Sequence, residues 1–117
     1  MSQKENDNHI DYVEIPVLDV NEAKRFYGEI FGWEFVDYGP DYASFTTGRM
    51  TGGFRKEPNL MKGGVLLVFY EMQLESVKAK VKDAGGRIVK DIFDFPGGRR
   101  FHFTDPSGNE LAVWSDH

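Results

Sequence analysis

From His9 to Ser115 the apolar pattern changes period in a fixed order: two, then 3.6, then two three times over. The same series then repeats. Strict alternation marks strands and 3.6-residue spacing marks helices, so the chain reads β-α-β-β-β twice. In the first half, His9 to Val17 reads as a strand, and Pro16 places it at a sheet edge or end. Asp19-x-x-Glu22 opens a helix in the manner of a capping box. Ala23, Phe26, Tyr27, Ile30 and Phe31 share its apolar face, and Gly32 stands at its C-cap. Strands follow at 33–38, 42–47 and 50–55. In the second half, strands are expected at 65–70, 87–92, 99–104 and 110–115, with a helix over 74–84 that Gly85-Gly86 ends. Pro96-Gly97-Gly98 reads as a loop, and Asp105-Pro106-Ser107-Gly108 as a strong turn. Sliding the chain by 53 positions lays Gly85 on Gly32, Ile88 on Phe35 and Val68 on Ile15.

A repeat of this size means two similar modules, each too small to close its own core. The expected fold is α+β: two tandem βαβββ modules forming a curved eight-stranded sheet around a concave cavity. The modules run over about 9–56 and 64–117, with a polar linker at 57–63 and a disordered polar tail at 1–8. A single ferredoxin-like sheet is the alternative, but eight strands against two helices are too many for it. The 117 residues make one domain, large enough to bury a core.

Composition narrows the function. Fourteen Lys and Arg against 19 Asp and Glu give a net charge of −5, which argues against a nucleic-acid partner. No apolar run reaches the ~18 residues of a membrane span, and the polar N-terminus is unlike a signal peptide, so a cytoplasmic protein is expected. With no cysteine there is neither a thiol nucleophile nor a thiolate metal site. Phosphate-binding glycine motifs are absent. Ten Phe, five Tyr and two Trp supply either an aromatic core or a cavity walled by rings.

Val13-Glu14-Ile15-Pro16-Val17-Leu18-Asp19, Ala23-Lys24-Arg25-Phe26-Tyr27, Phe31-Gly32-Trp33 and Asp105-Pro106-Ser107-Gly108-Asn109 stand in an order and spacing that resemble the vicinal oxygen chelate superfamily. That superfamily includes glyoxalase I, bleomycin- and fosfomycin-resistance proteins and extradiol dioxygenases. Its catalytic members hold one divalent metal on His and Glu side chains from several strands, about 2.0–2.2 Å from the ion. Open coordination positions then chelate adjacent substrate oxygens. Carried onto this chain, the first ligand position is Tyr12, seven residues before Asp19. The second falls within 42–56, which contains no Asp, Glu or His. The third falls near Leu66, and the fourth, four residues after Gly108, is Ala112. The resemblance therefore implies the fold without the family metal, and no cofactor is expected. It also implies a homodimer.

Strand alternation selects the side chains that share a cavity with those positions. They are Ile10, Tyr12 and Glu14 on the first strand, Leu66, Val68 and Tyr70 on the strand at 65–70, and Glu110, Ala112 and Trp114 on the last. The third and seventh strands each offer two faces: Phe45 and Thr47 or Ser44 and Thr46, and Arg100 and His102 or Arg99, Phe101 and Phe103. The ligand-binding candidates are Tyr12, Glu14, Phe45, Arg100, His102, Glu110 and Trp114. Glu14 and His102 are the candidate acid–base groups. A carboxylate between Tyr12 and an aromatic wall would be desolvated and suited to a general base; alternatively Glu14 is half-exposed or paired to Arg99 or Arg100. His102 is a backbone-bonded structural residue or an acid–base contact. Two functions follow. One is a metal-independent protein that binds a metabolite or drug. The other is a lyase, isomerase or dioxygenase using Glu14 with His102, or a relocated metal held by some of His9, Glu14, His102 and Glu110.

Overall fold

The computed structural model describes residues 7–8, 10–60 and 63–117. Most of the expected 1–8 tail lies outside them; Asp7 and Asn8 sit in a turn. The elements are β1 (Tyr12–Val17), α1 (Val20–Phe31), β2 (Glu34–Asp37), β3 (Tyr42–Thr46), β4 (Thr51–Lys56), β5 (Leu67–Tyr70), α2 (Leu74–Asp83), β6 (Arg87–Phe95), β7 (Gly98–Thr104) and β8 (Glu110–Ser115). The tandem βαβββ order is that of the sequence pattern. The eight strands divide into two four-stranded sheets with the same layout, β1-β4-β3-β2 and β5-β8-β7-β6. In each, the first and last strands of the module pair in parallel and the rest antiparallel. β1 is an edge strand, as Pro16 requires.

Local chemistry sets the helix ends. Asp19 is extended and its carboxylate accepts the Glu22 N–H at 2.9 Å. Gly32 takes the left-handed conformation, φ 71°, and donates to the Gly28 carbonyl. α2 has no side-chain cap at Gln73. β6 runs three residues beyond its expected end, through Phe95, so Pro96-Gly97 is a tight hairpin turn. Its pairing with β7 slips between Ile88 and Lys90 and again between Lys90 and Phe93. Those bulges break the period-two pattern on which the shorter reading rested.

One core serves both modules. Val20, Ala23, Phe26, Tyr27 and Ile30 of α1 are buried, as are Leu74, Val77 and Val81 of α2. They meet the inward rows of the sheets: Ile15, Val17, Ala43, Phe45 and Phe54 from the first, and Phe101, Phe103, Leu111 and Val113 from the second. Phe26 reaches across to Phe103, ring centroids 6.2 Å apart, and Phe31 stacks on Phe69 at 4.4 Å.

The turn between β7 and β8 does more than reverse the chain. Asp105, 4% exposed, accepts from the Tyr27 hydroxyl at 2.9 Å, the Ser107 and Asn109 N–H groups and the Asn109 amide. Asn109 also donates to the Pro16 carbonyl at 2.7 Å, and the Ser107 hydroxyl accepts the Leu18 N–H at 2.8 Å. The turn of the second module is thereby latched to β1 and α1 of the first. Burial pushes the Asp105 carboxyl above its ordinary range, against the hydrogen bonds that pull it down. Burial likewise raises Tyr27, with the Asp105 charge adding to it.

Candidate functional site

The structure distributes the expected site residues over three places. Tyr12 and Glu14 lie on the face of the first sheet turned away from α1. There the Tyr12 and Tyr42 hydroxyls are 2.5 Å apart, and Tyr42 donates to Glu14 Oε2 at 3.0 Å. With the Tyr42 proton so used, Tyr12 is the donor to Tyr42. Burial, then the bonds to Tyr12 and Glu14, raise the Tyr42 hydroxyl far above its ordinary pKa. Both hydroxyls sit over Gly53, where an added Cβ would lie 2.1 Å from the Tyr42 oxygen. Arg55 Nε stands 3.1 Å from Glu14 Oε1, and the Glu14 side chain is 44% exposed. Glu14 is thus ion-paired at the surface, not desolvated against rings. Its partner is Arg55, neither Arg99 nor Arg100. The parallel pairing of β1 with β4 puts Arg55 opposite Pro16, and that pairing is invisible in local sequence.

Arg100, His102, Glu110 and Trp114 lie together on the outward face of the second sheet. The register sets Arg100 opposite Trp114 and His102 opposite Ala112. His102 is 7% exposed, and its Nδ1 lies 2.9 Å from Glu110 Oε2. A carboxylate only accepts, so Nδ1 carries the proton. Among the described residues, neither His102 Nε2 nor Arg100 Nε has a hydrogen-bond partner, and both are buried. Of the two readings for His102, a backbone-bonded histidine is not what the structure contains: its partner is a side chain. Phe95 and Tyr70 stand edge-on to Trp114, with centroids at 6.1 and 5.1 Å.

Phe45 belongs elsewhere. Alternation on β3 sends it inward, where it stacks on Trp33 at 4.4 Å and is 4% exposed, so it does not share a surface with Tyr12 and Glu14. The outward residues of that strand are Tyr42, Ser44 and Thr46. Phe45 does border a groove, a volume of ≈ 1210 Å³ between the two edge strands β1 and β5. Phe31, Trp33 and Phe69 also border it, with the 46–51 hairpin at one side and Trp114 at another. Local pattern reading missed this groove because the strands that bound it belong to different sheets. The available signal was the excess of aromatic residues.

The family's metal does not fit the groups present. Tyr12 spends its hydroxyl on Tyr42, β4 carries no Asp, Glu or His beside it, and Leu66 and Ala112 carry no donor atom. Among the described residues, no group of three or more His, Asp or Glu side chains could hold an ion. Glu14 is on the first sheet while His102 and Glu110 are paired on the second, and His9 lies outside the described residues. EDTA is therefore expected to leave the melting temperature unchanged. A drop reversed by one divalent metal would contradict that.

The fold, two βαβββ modules around a shared core, defines a class that sequence comparison identifies directly. The family model of the Glyoxalase/Bleomycin resistance protein/Dioxygenase superfamily matches residues 9–113, and the chain belongs to that superfamily. A curated relative from Mycobacterium bovis, named "Putative glyoxylase CFP32", is 26% identical over 114 residues, covering 88% of this chain and 44% of its own. The chain spans less than half the length of that relative. A glyoxalase/bleomycin resistance protein/dioxygenase family enzyme from Burkholderia phytofirmans superposes with a TM-score of 0.82 at 19% identity, covering 92% of this chain and 100% of the other. The fosfomycin resistance protein FosX from Listeria monocytogenes gives 0.81 at 16% identity, covering 92% and 93%. These likenesses show the fold. Among the described residues, no helix is long and apolar enough to cross a membrane.

Proposed function

We propose that this chain is a metal-independent small-molecule binding protein of the glyoxalase and bleomycin-resistance type, taking a metabolite or drug into its aromatic groove. The observation that carries the reading is the groove itself. Its ≈ 1210 Å³ are bordered by Phe31, Trp33, Phe45, Phe69 and Trp114, with Asp11, Arg49 and Glu71 at its margin. Thr46, Thr47 and Thr51 add hydroxyls beside these rings, and small-ligand sites combine apolar walls with such placed polar groups. A donor-poor set of family metal positions supports the same reading. The protein acts in the cytoplasm as a homodimer. The exposed Val68 and Tyr70 on edge strand β5 and Tyr12 on edge strand β1 support self-association. Sedimentation at tens of micromolar is expected to show twice the 13.4 kDa chain mass, and a monomer alone would count against it.

The binding test is a thermal-shift screen of aromatic drugs and metabolites. A ligand present at about 100 times its Kd adds ~2.7 kcal/mol of stability, readily visible as a shift. Trp114→Ala is expected to weaken such a ligand by roughly 1–3 kcal/mol through lost apolar contact. If no compound shifts the transition and the purified protein carries stoichiometric metal, the reading fails. One observation favours an enzyme instead, of lyase, isomerase or dioxygenase type. The His102–Glu110 pair leaves Nε2 free as a proton acceptor, the arrangement of a general base held in one tautomer. Glu14 is no partner to it within one sheet.

A further inference from the structure

The face of the second sheet turned away from α2 carries a row of rings around two polar side chains. The register sets Lys90 opposite His102, Phe93 opposite Arg100 and Arg100 opposite Trp114, so all five share that face. The Arg100 guanidinium carbon lies 5.4 Å from the Phe93 ring centroid and 5.7 Å from that of Phe95. The His102 ring stands 5.9 Å from Phe93, and Tyr70, half-exposed, opens the row to the outside beyond Trp114. Arg100 Nε and His102 Nε2 are buried and, among the described residues, without a hydrogen-bond partner. Such groups are costly in a folded protein and call for an explanation. Their polarities are opposite. An arginine Nε carries a hydrogen and only donates. Glu110 holds the His102 proton on Nδ1, so Nε2, in a residue more than nine-tenths buried, presents a lone pair and only accepts. An anion would suit Arg100 but meet the Nε2 lone pair and the Glu110 carboxylate. A cation would be repelled by Arg100 and Lys90. A neutral group with an acceptor beside a donor satisfies both atoms, and the two side chains leave β7 only about 6.7 Å apart.

We propose that this face is a second ligand site, one that takes a flat, neutral lactam. The lactam carbonyl accepts from Arg100 Nε–H, its adjacent N–H donates to His102 Nε2, and its ring joins the row between Phe93 and Trp114. The site goes beyond the groove between β1 and β5: of the row, only Tyr70 and Trp114 border that groove. Phe93 packs against both polar residues and turns aside for the ligand. It sits at a register slip on β6, an edge strand with β7 as its one neighbour, and bulges of this kind lie next to functional sites. The pair also discriminates. A lactone has a ring oxygen where a lactam has its N–H, which sets one lone pair against another.

The test compares three probes of one shape on the wild-type protein: 2-quinolone, its lactone analogue coumarin, and N-methyl-2-quinolone. Binding is followed by NMR through the His102 ring nitrogens and the Trp33 and Trp114 side-chain signals. The quinolone is expected to bind at least about tenfold tighter than either analogue and to shift the His102 Nε2 signal, because both analogues leave that atom without a donor. His102→Met is expected to erase the preference, and Arg100→Met to weaken lactam and lactone alike. Equal binding of the three probes by the wild-type protein would overturn the site and mean that buried water satisfies the two atoms. A quinolone that moves the Trp33 signals and leaves the His102 ring in place would sit in the groove, which overturns this site and supports the other. Failure of every probe to bind at millimolar concentration would also overturn the site, with the groove judged by its own thermal-shift screen. The comparison of probes needs no variant to fold.

Discussion

Asp105→Ala is expected to lower the stability of the protein by about 3–5 kcal/mol, far more than a turn residue ordinarily matters. The carboxylate accepts four hydrogen bonds, and its loss strands the Tyr27 hydroxyl in the core along with two backbone donors and the Asn109 amide. The same residues carry the contacts between modules, because Asn109 and Ser107 bind β1 and the residue after it. Denaturant unfolding is the measurement, and a loss under 1 kcal/mol would show that the latch contributes little. The pH dependence is distinctive. A carboxyl whose folded pKa is raised binds more protons folded than unfolded, just above its ordinary value of 3.8. Its contribution to stability therefore falls as pH rises from that value through the folded one. Asp105→Asn cannot titrate, so the difference between wild type and this variant should widen toward acid in the wild type's favour. The exposed Glu75, Asp91 and Asp116 have lowered values and act with the opposite sign, but they are common to both proteins and cancel.

Phe54→Ala is expected to cost about 3–5 kcal/mol, the range for truncating a fully buried Phe. Phe54 is 0% exposed and sits among Tyr27, Trp33, Phe35 and Phe45, its ring 4.9–6.4 Å from theirs. Gly52 beside it cannot grow to fill the space: a Cβ there would stand 2.2 Å from the Val13 carbonyl oxygen. The cavity thus stays open, and the cavity term adds to the lost transfer energy. Because Trp33 and Phe45 also border the groove, the variant should loosen it and broaden the tryptophan signals. Full retention of stability would mean that the ring cluster repacks around the gap.

Much of the fold was legible in the sequence, because its signals are local. The period changed wherever an element changed, Asp19 and Gly32 punctuated α1, and the order of elements repeated. The site was legible only as two faces per strand. Alternation states that Phe45 and Ser44 oppose each other; it does not state which of them a helix covers. Trp33 and Phe54 cover Phe45, and Phe101 and Phe103 turn into the shared core, which leaves Arg100 and His102 outward. Glu14 was a fair suspect by position, but its partner Arg55 comes from a strand paired in parallel across the module. Asp105 read as turn chemistry and is that. Its burial against Tyr27 depends on a helix 78 positions earlier, and no local window contains both.

That separation also bears on how the chain is made. Synthesis delivers the first module complete before the β7–β8 turn exists, so Pro16, Leu18 and Tyr27 wait 78 to 93 positions for the groups that bind them. During that interval Phe26 lacks Phe103 and Phe31 lacks Phe69. Contacts of such long range form slowly, since loop closure must precede any gain. The half-made chain therefore presents a strip of uncovered rings to its surroundings. Helpers that shield apolar surface at the ribosome should matter more to its yield than to the stability of the finished molecule.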